Sequence, residues 1–275
     1  MQENLFISKN LEPGIQLFKL NLDVLYPEKN QREKFESKFS EFLKSDAANS
    51  KIFDYVGNTL TYLTECIIPI KHDQRPPILL VFGNPASHSV YSKMFFASEG
   101  NGREHRIWKV LSATDLLSFP SISRNSSVSE INQLRKCGLY ELSYCSPFRI
   151  GMAVYYTMPS TASHRPWAGV EGLRKLFGRK ALVKIGDYEK NRIAQIISEF
   201  VSPVGAVITF QKDAYLAIKS SESPNYTLVG AKAGQLIGNC QCNSGISLFC
   251  LPPTRQSSGY LDILRNFRDR ILNAR

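Results

Sequence analysis

The stretch that decides the fold is residues 78–88, ILLVFGNPASH. Its first five residues form a continuous apolar run, which is long enough for a strand buried on both faces and short for a helix. The run stops at Gly83-Asn84-Pro85, where the chain must turn at the carboxyl end of the predicted strand. Ligands of doubly wound sheets bind at that edge. Asn84 and the nearby His88 therefore mark a candidate site.

An aromatic pair, Phe95-Phe96, follows within the same polar loop. The chain then shows apolar residues at three- and four-residue intervals, with Ile107, Trp108 and Leu111 on one face, which predicts a helix. The aromatic pair lies just past a buried strand, and we include it in the candidate site.

Further apolar runs over residues 206–210 and 247–251 predict two more strands, and residues 181–185 a short one. The Tyr- and Val-rich segment 138–160 predicts one or two strands. Amphipathic helical patterns separate these runs. Strands that alternate with helices indicate a three-layer α/β/α fold with a central, four-stranded, mostly parallel sheet.

The first 73 residues have a different pattern. Aromatic residues recur at helical spacing over residues 30–44, and apolar residues do so over residues 51–66. We therefore expect an N-terminal helical extension over residues 1–73 and an α/β domain over residues 74–275.

The composition is that of an ordinary globular protein, with 43% hydrophobic residues and a mean hydropathy of −0.20 in 275 residues. No apolar run reaches the length needed to cross a bilayer, and the first residues show no basic-then-apolar leader. These features predict a cytoplasmic monomer without a membrane partner, associated with the nucleoid if the source is bacterial.

The charge is unevenly distributed. The net charge is +10, but residues 1–73 carry 9 basic and 11 acidic side chains, so the other residues carry +12. Lys and Arg that neutralise phosphates supply most non-specific affinity for nucleic acid. The basic part of the chain thus favours a polyanionic partner, nucleic acid first, although charge also serves solubility alone.

Common cofactor and metal motifs are absent from the sequence. It has no G-x-x-x-x-G-K-[ST], no G-x-G-x-x-G and no G-x-S-x-G. Cys240 and Cys242 are separated by one residue, which is too close for common zinc and iron–sulfur motifs. We expect free thiols, no metal and no cofactor.

Several short motifs resemble those of the uracil-DNA glycosylase superfamily. Residues 82–85, FGNP, are similar to its first motif, and Met94-Phe95 to a pair placed before the first helix. Residues 251–256, LPPTRQ, are similar to the second motif, and residues 142–145, LSYC, to a strand end of the single-strand-selective type. His88 matches a His of one thermophilic family. The resemblance covers about residues 76–275.

The resemblance implies that a damaged or mismatched base is flipped out of DNA into a pocket. Asn84 would orient a water towards the sugar C1′, and Phe95 would stack on the base, with Phe96 as the reserve. Arg255 and Gln256 would enter the duplex or hold phosphates. The implied DNA-binding residues are Pro252, Pro253, Thr254, Arg255, Gln256 and Ser257.

Two residues are candidates for reading the edge of the base. Ser143 stands where the family has an Asn that reads the uracil edge, and Thr157 on the following strand is the alternative. Leu251 stands where the second motif has a His that stabilises the departing base, and His88 is the substitute that we consider. Neither loop contains a Lys for a Schiff base, which predicts a monofunctional enzyme.

We expect, then, a DNA glycosylase for uracil or a related deaminated base. The first rival is a relative without catalysis that only binds nucleic acid. The second is an enzyme that uses the same sheet edge for a small nucleotide or nucleoside. Salt-dependent DNA binding would separate both DNA hypotheses from the third, and base excision would separate glycosylase from binder.

Overall fold

The computed structural model describes residues 4–97, 103–123, 125–162, 164–254 and 259–273, and it is of the α/β class. The strands are β1 (Phe6–Glu12), β2 (Ile15–Asn21), β3 (Phe53–Val56), β4 (Thr59–Glu65), β5 (Pro77–Phe82), β6 (Arg149–Val154), β7 (Ala206–Thr209), β8 (Ile237–Asn239) and β9 (Ser247–Cys250). The helices are α1 (Leu22–Leu25), α2 (Lys29–Lys44), α3 (Asn49–Ile52), α4 (Ser87–Tyr91), α5 (Arg106–Ala113), α6 (Val128–Glu141), α7 (Gly169–Phe177), α8 (Arg179–Ile196), α9 (Lys212–Ile218), α10 (Leu228–Lys232) and α11 (Tyr260–Asn273). A π-helical turn, Ile197–Val201, continues α8.

The chain divides into two compact units that alternate along the sequence. Unit 1 comprises Met1–Cys66, Asn84–Phe95 and Tyr156–Glu189, and unit 2 comprises Ile67–Gly83, Phe96–Tyr155 and Lys190–Arg275, each as far as it is described. The predicted boundary between residues 73 and 74 stays a prediction. In the described parts of the chain, no helix is both long and apolar enough to span a bilayer.

Unit 1 contains an antiparallel sheet with the order β1-β2-β4-β3. The predicted helix over residues 51–66 is wrong, because this segment forms β3 and β4. Val56 pairs with Thr59 across a two-residue turn, in which Gly57 adopts a φ of +62° that glycine tolerates without strain. Leu60 and Tyr62 are buried on one face at the two-residue period of a strand, and this period outweighed the helical spacing of the apolar residues.

The helix predicted over residues 30–44 is confirmed as α2, whose buried face carries Phe35, Phe39 and Phe42. Phe35 stacks on Phe177 of α7 at 5.5 Å between ring centroids. Only one of the two predicted N-terminal helices therefore exists, and strands form most of the rest of residues 6–65. The description of residues 1–73 as a helical extension is accordingly corrected.

Strand β4 ends in a buried carboxyl group. Glu65 is 2% exposed, and its Oε2 has no hydrogen-bond partner among the described residues. Burial raises its pKa well above the usual value, because a carboxylate is poorly solvated there. Glu65 thus remains protonated in the folded protein at pH values where the unfolded chain has already lost this proton.

The stability of the protein should therefore fall as pH rises above about 4.3, the pKa of an unfolded glutamate. Between that value and the raised pKa, the unfolded state binds fewer protons, so each pH unit costs about 1.4 kcal/mol of the free energy of unfolding. Glu65→Gln should remove this loss, as measured by urea unfolding between pH 5 and 8.5. Glu41→Gln, at an exposed position of α2, is the control. An unchanged pH dependence in Glu65→Gln would contradict the assignment.

Unit 2 contains a five-stranded sheet with the order β6-β5-β7-β9-β8. The first four strands are parallel, and β8 pairs antiparallel with β9. The predicted parallel sheet of four strands is thus present, with one additional edge strand. The chain enters at β5, passes to β6 on one side and then to β7 on the other. The topological switch point therefore lies at β5, which Gly83 and Asn84 follow.

One predicted strand is wrong, and the segment 138–160 contains one strand, within the one or two predicted. Residues 181–185 belong to α8, where Ala181, Leu182 and Ile185 are buried while Val183 is 59% exposed, as one helical face requires. Of the segment 138–160, only Arg149–Val154 is a strand, because α6 continues to Glu141. The strands predicted over residues 78–82, 206–210 and 247–251 are confirmed as β5, β7 and β9 within one residue.

Candidate functional site

Asn84 begins the segment of unit 1 that follows β5, and its amide is held in one orientation. Nδ2 donates to the Ser160 hydroxyl at 2.8 Å and to the carbonyls of Pro85 and Met158 at 3.3 and 3.4 Å. Carbonyl oxygens only accept, so the atom that faces them must be the NH₂ group. Oδ1 accepts no hydrogen bond from the described residues, and Asn84 is half-buried. The side chain thus offers a fixed acceptor.

A backbone clasp joins the Asn84 loop to the segment after β6. Ser160 N donates to Pro85 O at 3.0 Å, and Ser87 N donates to Ser160 O at 2.9 Å. Ala86 and Ser160 form the corresponding parallel bridge. These bonds satisfy backbone groups of two loops at once, so the loop that carries Asn84 is fixed without forming a regular sheet.

Thr157 lies three residues before Ser160 and fixes this segment through its own hydrogen bonds. The carboxylate of Glu189, on α8, accepts from Thr157 N at 2.7 Å and from its hydroxyl at 2.5 Å. Because Thr157 Oγ1 donates to Glu189, it accepts from Tyr62 OH, at 2.9 Å. Thr157 is 1% exposed. Its observed contacts are therefore structural, and they place Met158, the next residue, where it meets Asn84.

His88 lies on α4, a single helical turn that starts three residues after Asn84. The ring is half-buried, and its Nε2 is 3.4 Å from the Ser89 hydroxyl. In the described part of the chain no carboxylate pairs with this ring. The imidazole is thus available, and its predicted electrostatic role stays a prediction.

The two aromatic candidates differ in exposure. Phe95 is 1% exposed and belongs to unit 1, whereas Phe96 is half-buried and belongs to unit 2. The Phe96 ring stacks on His105 at 4.5 Å and meets Phe82, the last residue of β5, edge-on at 4.8 Å. It therefore lies at the carboxyl edge of the sheet. Of the pair, Phe96 is the residue that is partly exposed.

The backbone of Phe96 has an unusual conformation. Its φ is +48°, in the left-handed region that residues with a side chain seldom adopt. Trp108 Nε1 donates to Phe96 O at 3.0 Å and holds the conformation. Such backbone outliers cost on the order of 1–3 kcal/mol and cluster at functional sites. Neither the conformation nor the Trp108 contact had a signal in the sequence.

Ser143 is not located as expected. The segment LSYC, residues 142–145, lies in the connection between α6 and β6, where Ser143 is exposed and Tyr144 is buried, so the prediction that it ends a strand is wrong. Arg75, which precedes β5, donates to Leu142 O at 3.1 Å. Because β5 and β6 are parallel, Ser143 lies at the amino edge of the sheet, opposite the edge where β5 ends. The reason is the length of α6, which delays the start of β6.

The second loop follows β9 at the carboxyl edge of unit 2. Leu251 N donates to Thr209 O at 2.8 Å, and the Leu251 side chain is fully buried. Pro252 is buried, its carbonyl accepts from the Tyr260 hydroxyl, and Pro253 and Thr254 are half-buried. Arg255, Gln256 and Ser257, which were predicted to contact DNA, lie outside the described residues.

The described residues were expected to hold no metal ion, and their His, Cys, Asp and Glu side chains bear on that expectation. No group of three or more His, Cys, Asp or Glu side chains in them could hold a metal ion. All six cysteines are free thiols, as expected. Burial raises the pKa of Cys250, the last residue of β9, to about 12, so this thiol stays protonated at neutral pH.

Unit 1 also carries a basic surface on α7 and α8. Residues 165–184 contain six basic side chains and one acidic one. Five of the six are exposed, namely Arg165, Lys175, Arg179, Lys180 and Lys184. The ammonium of Lys175 lies 4.1 Å from the ring centroid of Trp167. A concentration of exposed cations of this kind raises the local concentration of polyanions.

The residue that prediction from sequence missed is Ser160, together with the Met158 carbonyl. A signal existed, because polar residues that follow a parallel strand are candidates for the same edge of the sheet. The sequence did not locate the end of β6 within residues 138–160, so Ser160 could not be placed at this edge.

No family model matches the chain, and no curated protein matches it either.

Proposed function

We propose that the protein is a monofunctional DNA glycosylase that hydrolyses the N-glycosidic bond of uracil or a related deaminated base. The observation that carries this proposal is the Asn84 amide, whose NH₂ group is bound on the protein side while Oδ1 remains an open acceptor. This arrangement suits a group that orients water. It supports the resemblance of the first motif to the uracil-DNA glycosylase superfamily.

In the proposed reaction, Oδ1 of Asn84 accepts a hydrogen bond from a water and directs its oxygen at C1′. The water oxygen forms a bond to C1′ as the C1′–N bond breaks, and the electron pair leaves with the base. An amide is too weak a base to remove the proton, which passes to solvent or to the departing base. Most of the rate enhancement must therefore come from stabilisation of the developing charges.

Base stacking by Phe95, with Phe96 as the reserve, stays a prediction of the resemblance. His88 is the proposed electrostatic partner of the departing base. DNA is the proposed polyanion for the basic surface of residues 165–184. A base inside a duplex is unreachable, so this mechanism requires base flipping.

A binding protein without catalysis is the second candidate. The burial of Leu251 favours it, because an apolar, enclosed side chain at the second loop cannot hydrogen-bond a departing base. Bound DNA would then be held by the basic surface alone.

The test uses the purified full chain and labelled oligonucleotides that carry one uracil, hypoxanthine or xanthine, in single and double strands. Alkali converts abasic sites into strand breaks, so cleavage demonstrates excision and identifies the base. The affinity for DNA should fall as the salt concentration rises. On duplex DNA, the logarithm of the association constant should fall with the logarithm of the salt concentration, with a slope of about −0.9 for each phosphate neutralised. Salt-sensitive binding without cleavage would establish the binding protein. Absence of both would contradict every DNA hypothesis.

A further inference from the structure

The hydroxyl of Ser160 makes the shortest contact to the Asn84 side chain. The Nδ2–Oγ distance is 2.8 Å, against 3.3 and 3.4 Å to the carbonyls of Pro85 and Met158. Ser160 is 1% exposed, so water does not compete freely for this bond. The NH₂ group has two hydrogens for three acceptors. Among them, Ser160 is the acceptor that most closely defines the direction of the amide.

The Ser160 hydroxyl is oriented to accept from Asn84. Its own hydrogen can go to Thr161 O, at 3.5 Å, which leaves the oxygen lone pairs for Nδ2. The backbone of Ser160 is engaged separately, because its N–H binds Pro85 O and its carbonyl accepts from Ser87 N. Removing the hydroxyl therefore leaves the clasp between the two loops in place. Among the described residues, its side chain forms hydrogen bonds with Asn84 and Thr161 alone.

The Asn84 amide could turn over without this hydrogen bond, because rotation about its terminal side-chain torsion costs little energy. The χ2 angle of an Asn is broad and roughly two-fold, so neighbouring groups determine which way the amide points. If the amide turned, the NH₂ group would replace Oδ1 towards solvent and would offer a donor instead of an acceptor. A water that accepts from such a donor would turn a lone pair to the amide, so it would present its hydrogens, not its oxygen lone pair, to the sugar.

We propose that Ser160 is a positioning residue for Asn84, which it holds in the orientation that directs the attacking water. This inference rests on the proposed glycosylase function and deepens it. Ser160 does not touch the reacting atoms; it acts through the Asn84 amide. The alternative is that Ser160 serves stability alone.

A double-mutant cycle separates the two roles. Wild type, Ser160→Ala, Asn84→Ala and the double variant are compared in single-turnover cleavage of the oligonucleotides, with enzyme in excess, and in DNA affinity. Ser160→Ala should slow the chemical step about five- to tenfold, the size of one hydrogen bond, with DNA affinity unchanged. In the Asn84→Ala background, loss of the hydroxyl should have no further effect. Ser160→Cys, with a sulfur that accepts weakly, should lie between wild type and Ser160→Ala.

Ser87→Ala is the matched control. Ser87 lies in the same loop and is fully buried, but its hydroxyl has no hydrogen-bond partner among the described residues. Its cleavage rate should equal that of wild type. Thermal unfolding of every variant shows whether it is folded. If Ser160→Ala does not fold, the cleavage rate of Ser160→Cys tests the role of the hydroxyl instead.

Four outcomes would overturn the inference. A wild-type rate in Ser160→Ala, or a loss of equal size with and without Asn84, would mean that Ser160 does not act through Asn84, while the proposed function would survive. Loss of DNA affinity without loss of rate would show a role in binding. Absence of cleavage by wild type would overturn the proposed function itself, and the role of Ser160 with it.

Discussion

Asn84→Ala should lower the rate of base excision by about 100-fold, the size of the loss when a reacting group is no longer held in place. The variant loses the Oδ1 acceptor, whose orientation the Nδ2 hydrogen bonds fix. Its stability should change little, because the clasp between the loops consists of backbone hydrogen bonds at Pro85, Ser87 and Ser160. Single-turnover cleavage measures the first quantity and urea unfolding the second.

Asn125→Ala is the matched control for this experiment. Asn125 is exposed in the Ser-rich loop before α6, and its side chain makes no hydrogen bond to the described residues. The control should cleave as wild type does. DNA affinity should be unchanged in both variants. If Asn84→Ala retained more than about a tenth of the wild-type rate, Asn84 would not direct the water, and the glycosylase mechanism would need another residue.

The parallel sheet could be predicted because its strands are marked locally. The segments that became β5, β7 and β9 are short apolar runs that end at turn or polar residues, and each is buried on both faces. The antiparallel sheet of unit 1 is different, because residues 53–65 satisfy a helical spacing as well as a two-residue period. This segment forms strands because β4 pairs with β2. A local sequence pattern does not show which strand lies beside it, so it could not distinguish the strand from the helix.

The candidate site was predictable only where it is continuous in sequence. Asn84, His88 and Phe96 follow one strand and could be found together. The partner that orients Asn84 lies 76 residues away, at Ser160, and no local pattern connects the two. Ser143 was misplaced for a related reason, since an error in the end of α6 moves a residue from one edge of the sheet to the other.

Glu189→Ala should cost about 3–5 kcal/mol of the free energy of unfolding, a large fraction of the 5–15 kcal/mol typical of folded proteins. Glu189 is fully buried, and its carboxylate accepts the amide and the hydroxyl of Thr157. The truncation leaves the Thr157 N–H buried without its acceptor, at about 1–3 kcal/mol, and adds a cavity, while the Thr157 hydroxyl can turn to Tyr62 OH at 2.9 Å. Urea unfolding measures the loss.

The comparison with Glu189→Gln identifies the cause of that loss. Gln has nearly the same shape and keeps one acceptor oxygen for Thr157, so it should cost only about 1–2 kcal/mol if the unpaired donor dominates. The surface control is Glu33→Ala, which removes an exposed pair with Lys29 at 3.8 Å and should cost no more than about 0.5 kcal/mol. Equal losses in Glu189→Gln and Glu189→Ala would instead assign the effect to the charge. In both cases, the hydrogen bonds from Thr157 to Glu189 position the Met158 carbonyl that Asn84 binds.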